Sequence, residues 1–497
     1  MKRLRNKTLW VALTLFGIAG QNLTAQNLEE FEAYLELQRQ EFAQYKADRE
    51  SEFNRFREQN NREFAYYLRK AWKQVTPEEE CDVPREPKPF IPKRTVDEIK
   101  YLPDTPQFLP VLDVSSPKTL QKAAKPIEIE APSGYASQKL VRVNFYGNAI
   151  TLRCSDKVDY ALSDNSQSAV ASAWERLAVK DLDPLIYDCQ QTRERLKFCD
   201  WMYYQFVKEV AHIITKTISD SNEETLLTGY ILAQSGIDFR YVRVDNSLLL
   251  ALPFDTKIYG YRFFPIGSLN FYIMNKDVRG TCYLMDKSFS KEATCLTLRI
   301  SSPLTFTGSK GETRMLTSKM FPELKVELSG NQFQLDFYQN YPRMDWQEYS
   351  LVPMSRETVK TLADAFKPHI EGKSEELVVN MILNFVQTAF TYGYDNEIWG
   401  TDRPFFAEET LFYPYSDCED RAILFSQLIR ELTKQDVVLL HYPNHLATAV
   451  YFNNDLQGDY VIVDGKKYLV CDPTGYRPAG NAYDEFKNVK AKVIKIQ

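Results

Sequence analysis

An eleven-residue repeat between residues 30 and 73 constrains the fold of this chain more than any other sequence feature. Aromatic residues recur at that spacing in two rows: Phe31, Phe42, Phe53 and Phe64, and Tyr34, Tyr45, Phe56 and Tyr67. Eleven residues make about three turns of a helix, so both rows stay on one face of a straight helix. No glycine or proline interrupts the segment. The sequence therefore predicts one long helix within residues 26–76.

The aromatic face of this helix needs a partner, because a lone helix would leave its rings in water. Three partners fit the pattern: the globular part of the same chain, a second copy of the helix, or another protein. Binding to a membrane surface is disfavoured, since the polar face carries both signs of charge rather than mostly Lys and Arg. The alternatives stay open at this point, with self-association or docking of a partner protein through residues 30–73 favoured.

The first 25 residues have the pattern of an export signal. Four basic residues within the first seven positions precede a largely apolar stretch at 9–19, and Ala25 is suited to cleavage. The stretch is shorter than the ~20 residues of a membrane-spanning helix. We predict a signal peptide at 1–25, a mature chain without a transmembrane segment, and a periplasmic or extracellular location. Disulfides can form there, but the sequence does not reveal how the cysteines would pair.

The charge balance and the scarcity of ligand residues exclude several classes of partner. The 61 basic and 67 acidic residues nearly cancel, whereas a nucleic-acid-binding domain shows a concentrated basic face. The chain has only four histidines, no Cys-x-x-Cys pair and no glycine-rich phosphate loop. We therefore expect no nucleic acid, no metal and no cofactor.

Proline marks the segment that follows the helix. Eleven of the 24 prolines fall between Pro77 and Pro132, and repeated proline favours extended, semi-stiff chain. We interpret residues 77–137 as a linker that holds the helix away from the C-terminal body. The alternative is that this stretch wraps the surface of the body as ordered coil.

A cysteine stands at the start of a predicted helix near the C-terminus. Ser416 and Glu419 fit a capping box, and an apolar stripe of 3.6-residue period follows, which makes Cys418 the second helical residue on the buried side. The positive end of the helix dipole favours a thiolate there. The neighbouring acids Asp417, Glu419 and Asp420 oppose this effect, although we expect them to point to other faces.

A histidine follows at the start of a strand. Residues 437–442 and 446–452 are predicted strands joined by a tight turn, so that His445 is a suitable general base for the thiol. Two acids could orient its imidazole. Asp464 fits an Asp-Gly hairpin turn, and Asp472 fits only if its strand pairs directly with the strand of His445. The pattern alone does not choose between them.

These motifs resemble the transglutaminase-like branch of the papain-like cysteine enzymes over about residues 375–480. The resemblance lies in Cys-x-Asp-x-Ala opening a helix, Asn-His before a strand and Asp-Pro-Thr closing one. It implies that Cys418 is the nucleophile, His445 the base and Asp472 the residue that holds the imidazole, with a protein or peptide as substrate. Phe412 stands where papain-like proteases have an oxyanion glutamine, which is a departure. By analogy with animal transglutaminases, Trp399 is a candidate oxyanion donor.

An upstream segment is similar to the same unit without its chemistry. Residues 221–254 repeat the capping box, the helix and the strand pair, with Glu223 at the position of Cys418 and Ser247 at that of His445. We predict a degenerate module at 138–280, a β-rich segment at 281–350 with strands at 325–328 and 333–338, and a catalytic module at 351–497. The fold class is therefore α+β.

Two functions are compatible with this organisation. The first is an exported cysteine hydrolase that cleaves, or transfers, an amide bond through a thioester on Cys418. The second is a non-catalytic envelope scaffold that binds partners through the aromatic helix and the paired modules. Superfamily resemblance does not decide between them.

Overall fold

The computed structural model describes residues 25–80, 106–116, 138–156, 158–178, 182–308, 310–398, 403–443 and 445–496. The chain divides into two units, Met1–Glu63 and Phe64–Gln497. The fold is mixed α+β, as predicted. Within the described ranges, no helix combines the length and apolar character that crossing a membrane requires. Apart from Ala25, the predicted signal peptide lies outside these ranges.

The described residues form twelve helices. They are α1 (Ala25–Leu68), α2 (Gln167–Ala178), α3 (Asp183–Leu196), α4 (Asp200–Thr215), α5 (Asn222–Gln234), α6 (Gln332–Gln339), α7 (Trp346–Leu351), α8 (Arg356–Ile370), α9 (Glu375–Ala389), α10 (Asp395–Ile398), α11 (Ala407–Phe412) and α12 (Cys418–Leu432).

The same residues form nineteen strands. They are β1 (Lys73–Val75), β2 (Glu78–Glu79), β3 (Val111–Ser115), β4 (Gln138–Phe145), β5 (Asn148–Ser155), β6 (Arg240–Val244), β7 (Ser247–Phe254), β8 (Arg262–Ile266), β9 (Leu269–Ile273), β10 (Cys282–Leu284), β11 (Lys310–Thr317), β12 (Lys325–Asn331), β13 (Thr391–Tyr392), β14 (Tyr415–Ser416), β15 (Val437–Tyr442), β16 (His445–Tyr451), β17 (Tyr460–Val463), β18 (Lys466–Cys471) and β19 (Ala491–Lys495).

In the first unit, residues 25–63 belong to the single continuous helix α1. Four aromatic residues of the repeat have described side chains here, and between 41% and 68% of each is exposed: Tyr34, Phe42, Tyr45 and Phe56. The side chains of Phe31 and Phe53 are outside the described set. The long helix is present, and the partner of its aromatic face stays a prediction.

In the second unit, the end of α1 is part of a core. Phe64 is 1% exposed, and its ring centroid lies 4.6 Å from that of Trp174 and 5.6 Å from that of Phe289. After Leu68 the chain adds β1 and β2 to opposite edges of a sheet. Residues 69–80 are therefore part of the body, which corrects the predicted boundary between helix and linker at residue 76.

The upstream module is built on a seven-stranded antiparallel sheet of order β1-β10-β6-β7-β9-β8-β2. Its apolar face buries residues from the central strands, such as Val242, Ala251, Phe271 and Ile273. Helix α5 packs against β7. This burial of alternate residues is the ordinary way in which one face of an antiparallel sheet builds a core.

The C-terminal module is built on a six-stranded sheet of order β17-β18-β16-β15-β19-β3. Helix α12 packs against β15 and β16, and nearly all of its length is buried. The edge strand β3 comes from the proline-rich segment and pairs in parallel with β19. Residues 106–116 thus lie against the body rather than forming a spacer, and residues 81–105 and 117–137 lie outside the described part.

The two sheets share one topology. In each, a helix is followed by five strands. The second strand pairs with both the first and the fourth strand, and the fifth strand pairs with the first. The elements are α5 and β6–β10 upstream, and α12 and β15–β19 downstream. The repeated unit therefore extends to Leu284, past the predicted module boundary at residue 280.

One predicted strand in the segment 281–350 is wrong. Residues 325–328 do lie in β12, but residues 333–338 belong to helix α6. The side chain of Asn331 accepts hydrogen bonds from the backbone N–H groups of Phe333 and Gln334 and so caps this helix. An alternating apolar pattern favoured a strand, and the cap, together with the burial of Leu335 and Phe337, stabilises a helix instead.

Candidate active site

Helix α12 begins at Cys418, and its cap is Asp417 rather than Ser416. The Asp417 carboxylate accepts a hydrogen bond from the Asp420 N–H at 3.5 Å, and the Asp420 carboxylate accepts one from the Asp417 N–H at 3.3 Å. The predicted capping box is therefore displaced by one residue. Cys418 becomes the first helical residue, which is the position where the helix dipole acts most strongly.

The β15–β16 hairpin, which carries His445, packs against the helix that carries the thiol. Tyr442 and His445 close the hairpin as its last strand pair, and α12 packs on β16. The backbone N–H of Leu446 donates a hydrogen bond to Cys418 and lowers the pKa of the thiol. The thiol therefore contacts the backbone of the residue that follows His445.

The strand order places Asp472 next to His445. Strand β18 pairs directly with β16, with Cys471 opposite Thr448, so Asp472 follows on the same face as His445. The distance between His445 Nε2 and Asp472 Oδ2 is 2.6 Å. Because Nε2–H donates to the carboxylate, Nδ1 is the basic nitrogen of the neutral ring.

Asp464 is a turn residue. It has a φ of +49° and Gly465 has a φ of +77°, which are the positive values that a tight hairpin turn requires. Its carboxylate pairs with Lys495. Strand β17 pairs with the outer edge of β18 and does not pair with β16. Residues 459–465 therefore form an excursion, and β18 pairs directly with the strand of His445.

Three buried side chains hold the Asp472 loop in place. The Asp472 Oδ1 accepts a hydrogen bond from the Thr474 N–H at 3.0 Å. Gln387, on α9, donates to the Asp472 carbonyl at 2.8 Å. Arg421, on α12, donates to the Thr474 carbonyl at 2.9 Å. Gln387 and Arg421 lie far from Asp472 in sequence, and no local pattern identified them.

The environment of the thiol favours its protonated form. Cys418 is 2% exposed, and its Sγ donates a hydrogen bond to Glu419 Oε2 at 3.1 Å. Burial raises the pKa of Cys418 well above its usual value, and Glu419 and Asp417 raise it further. We expected the helix dipole to favour a thiolate and Glu419 to point to another face of the helix. Both expectations are wrong for the closed, buried site. Burial also raises the pKa of Glu419, to about 8.

Buried carboxylates next to the thiol form an oxygen-rich cluster. Asp395, Asp417 and Asp420 each place one carboxylate oxygen within 4.8 Å of the others. Burial is the main cause that raises the pKa of both Asp417 and Asp420. Oxygen sets of this kind are ligands for Ca²⁺ or Mg²⁺, so these residues are the ones that could hold such an ion. The sequence carries no signal for this cluster, because its members are aspartates and Asp395 is distant from the other two along the chain.

An aromatic ring covers the imidazole. The ring of Phe486 stacks on His445 with centroids 4.8 Å apart and an angle of 8° between the planes. The ring of Tyr442 stacks on that of Phe486, with centroids 4.8 Å apart. His445 and Asp472 are as buried as the thiol, so all three groups are shielded from water.

The remaining predicted site residues lie elsewhere. Trp399 is outside the described residues, so its oxyanion role stays a prediction. Phe412 packs near the Gly330 backbone of β12. Cys471 faces the opposite side of its strand from Asp472 and is buried, which raises the pKa of its thiol. No disulfide joins the seven cysteines of the described ranges.

The upstream module carries an amide at the thiol position. Its helix α5 is capped by Ser221, so Asn222 is the first helical residue. The Asn222 Oδ1 accepts a hydrogen bond at 2.7 Å from the N–H of Leu248, which follows Ser247. Cys418 stands in the same relation to Leu446. The equivalent of Cys418 is therefore Asn222, which corrects the predicted Glu223.

The third upstream position is also an amide. Asn275 follows β9 as Asp472 follows β18, and its Oδ1 accepts a hydrogen bond from the Asp277 N–H at 2.9 Å. The same turn joins Asp472 and Thr474. The upstream module thus holds Asn222, Ser247 and Asn275 where the C-terminal module holds its thiol, imidazole and carboxylate.

Comparison with protein-family models, with curated proteins and with solved structures finds no match to this chain.

Proposed function

We propose that the protein is an exported cysteine hydrolase that cleaves amide bonds in peptides or proteins through a thioester on Cys418. One observation carries the proposal. The thiol of Cys418, the first residue of α12, contacts the backbone of Leu446, and the neighbouring His445 is hydrogen-bonded to Asp472 with 2.6 Å between Nε2 and Oδ2. A thiol, an imidazole and an orienting carboxylate are the groups that acyl transfer needs. Export rests on the composition of residues 1–25.

The chemistry follows from the tautomer of His445. Nδ1 takes the Sγ proton, which points to Glu419 in the described state, and the sulfur attacks the carbonyl carbon. The imidazolium then gives its proton to the leaving amine as the C–N bond breaks. Water, deprotonated by the same nitrogen, attacks the thioester and releases the acid and the thiol. Asp472 holds the ring and stabilises its charged form throughout.

The burial of all three groups requires an opening step before substrate binds. Cys418 is 2% exposed and His445 is fully buried, so no peptide carbonyl reaches Sγ in the described state. A closed site excludes water from the resting thiol, and lids of this kind are common in enzymes. Phe486, which covers the imidazole, belongs to the segment that has to move.

Alkylation of the native protein tests the triad. Iodoacetamide is reacted with the full-length protein between pH 6 and 9, and mass spectrometry follows each cysteine. His445→Ala should slow alkylation of Cys418 by roughly 100-fold, the usual contribution of a general base. Cys295, half-buried in the upstream module, is the internal control whose rate should not change. Equal slowing of both thiols, or of neither, contradicts the proposal.

The reaction itself is tested with a peptide library. The native protein should generate new peptide carboxyl ends that carry ¹⁸O when the solvent is H₂¹⁸O, and Cys418→Ala should generate none. Incorporation of dansylcadaverine without ¹⁸O would show transfer to an amine instead of hydrolysis. Cleavage that persists in Cys418→Ala would exclude the cysteine as the nucleophile.

A scaffold is the second candidate, and specific observations favour it. The upstream module has the topology of the C-terminal one but carries amides and a hydroxyl at the three positions, and the described aromatic residues of the first unit are exposed. Under this candidate the triad is structural. The library experiment separates the two candidates. A scaffold leaves the same peptides whether or not Cys418 is replaced by alanine, whereas the hydrolase loses its new cleavage products in Cys418→Ala.

A further inference from the structure

A cleft of about 560 Å³ opens between the upstream module and residues 339–341, away from the thiol. Six of its sixteen lining residues are aromatic: Phe145, Tyr146, Trp201, Tyr204, Tyr261 and Tyr341. Its volume falls within the ~300–1,000 Å³ that small-molecule sites usually occupy. None of its lining residues belongs to α12, β16 or β18. The cleft is therefore a place for a ligand that the proposed reaction does not use.

An oriented histidine lies in the wall of this cleft. His212 Nδ1 is 2.9 Å from Glu224 Oε2, and the Glu224 side chain is 2% exposed whereas that of His212 is 38% exposed. The hydrogen bond to the carboxylate holds Nδ1, so Nε2 is the ring nitrogen that faces away from Glu224. A buried acid thus fixes the orientation of a half-exposed imidazole in the cleft.

The charges in the cleft nearly cancel. Lys208 is paired with Asp220, with 2.5 Å between Nζ and Oδ1. The ammonium of Lys276 lies 5.1 Å above the ring of Tyr261, and Glu209 lines the same space with the opposite charge. Glu209 and Glu224 would repel an anionic ligand, and the two lysines would repel a cationic one. The cleft therefore favours a ligand without net charge.

Two buried polar atoms at the cleft lack partners within the described residues. They are Trp201 Nε1 and Thr228 Oγ1. Trp201 lines the cleft, and Thr228 lines a small pocket that shares Tyr204, Lys208 and Glu224 with it. Buried polar atoms are nearly always hydrogen-bonded. An indole N–H needs an acceptor, which a ligand hydroxyl in the cleft would supply, and the Thr228 hydroxyl can donate or accept in the smaller pocket.

We propose that this cleft binds a neutral carbohydrate. Sugars present hydroxyl groups that both donate and accept, as the mixture of lysine, carboxylate, imidazole, indole and phenol requires, and C–H faces that pack on aromatic walls. A zwitterionic dipeptide is the nearest competitor by net charge. It is disfavoured because Lys208 is already paired with Asp220 and Glu224 is already hydrogen-bonded to His212.

Binding to the full-length protein tests the proposal with three neutral probes: maltotriose, cellotriose and triacetylchitotriose. Calorimetry measures affinity, and the spectrum of ¹⁵N-tryptophan-labelled protein follows the indole N–H of Trp201, assigned by Trp201→Phe. At least one probe should bind and move that resonance. Glu209→Ala, a change at a half-buried rim residue, should weaken binding roughly tenfold or more, the loss of one charge-assisted hydrogen bond.

The control is Glu194→Ala, an exposed acid of α3 outside the cleft, which should bind the probe as the native protein does. Cys418→Ala should also bind normally, so that failure of the hydrolase proposal and failure of this one are separate outcomes. The proposal is overturned if none of the three probes binds at millimolar concentration, if Glu209→Ala and Glu224→Gln both leave affinity unchanged, or if alanylalanine binds more tightly than every sugar.

Discussion

The thiol of Cys418 donates a hydrogen bond to the carboxylate of its own neighbour, Glu419, with 3.1 Å between Sγ and Oε2. This contact sets the resting state of the site, because a buried carboxylate opposes a negative charge on the sulfur beside it. The helix dipole and the Leu446 N–H act in the opposite direction. The reactivity of the thiol therefore depends on a residue that the triad does not include.

Replacing Glu419 with glutamine should make Cys418 more reactive above pH 8, where Glu419 of the native protein is ionised because its pKa is about 8. The substitution removes the nearest charge that raises the pKa of the thiol, so the alkylation rate should rise at lower pH than in the native protein. The measurement is the pH dependence of iodoacetamide alkylation at Cys418. Glu431→Gln, at the other end of α12, is the matched control. A shift to higher pH in Glu419→Gln would contradict the assigned contact.

The stability of the native protein should fall between pH 5 and 8 relative to Glu419→Gln. Burial raises the pKa of Glu419 from its ordinary value of 4.5 to about 8. The stabilising contribution of the protonated side chain is therefore complete below the pKa of the unfolded state and is lost as pH rises through the pKa of the folded state. The slope is about 1.4 kcal/mol for each unit of pH in this window. Melting temperatures of the native protein and of Glu419→Gln between pH 5 and 8 measure this loss of stability. If the two melting temperatures change in parallel with pH, Glu419 is already ionised in the folded protein.

Asp472→Asn should lower the rate of peptide cleavage by roughly 100-fold or more, because an amide no longer selects the productive tautomer of His445. Asp464→Asn should leave the rate nearly unchanged, since that residue sits in the turn between β17 and β18 and pairs with Lys495. Steady-state kinetics with one library substrate compare the two. The reverse order of effects would mean that Asp464 orients the imidazole.

In the upstream module, Asn222→Ala should destabilise the fold by about 1–3 kcal/mol, because it leaves the Leu248 N–H without its acceptor. Glu223→Ala, one position later on the same helix, should change the unfolding free energy by less than about 0.5 kcal/mol. Urea denaturation measures both. Equal effects would remove the reason for matching Asn222 with Cys418.

Exposed rings of the first unit should mediate association. Replacing Phe42 and Phe56 with serine should convert an associated native protein into monomers, since each fully buried ring contributes about 1.5–3 kcal/mol. Light scattering after size-exclusion chromatography measures the mass, and Cys418 alkylation should stay the same. The polar control is Gln38→Ser with Gln40→Ser. A native protein that is already monomeric at high concentration would exclude self-association and leave docking of another protein.

The sequence predicted local structure well where short-range patterns encode it. The eleven-residue repeat indicated a helix, the stripe after Cys418 indicated α12, and two apolar runs with a turn indicated β15 and β16. Such features depend on residues a few positions apart, which meet in any fold. At residues 333–338 the alternation of apolar and polar residues suited a strand. The Asn331 cap and the burial of Leu335 and Phe337 stabilised helix α6 instead.

What only the tertiary structure decided is which distant segments meet. The patterns of β16, β17 and β18 fit a meander and the observed order equally well, because the side-chain period of a strand is the same beside any neighbour. In the structure β18 pairs with β16, a central strand that is buried on both faces, and this pairing selects Asp472 over Asp464. Burial also sets the protonation of Cys418 through Glu419, and it brings Phe486 onto His445. A sequence names the groups that could react, whereas packing determines which of them touch and which charges they can carry.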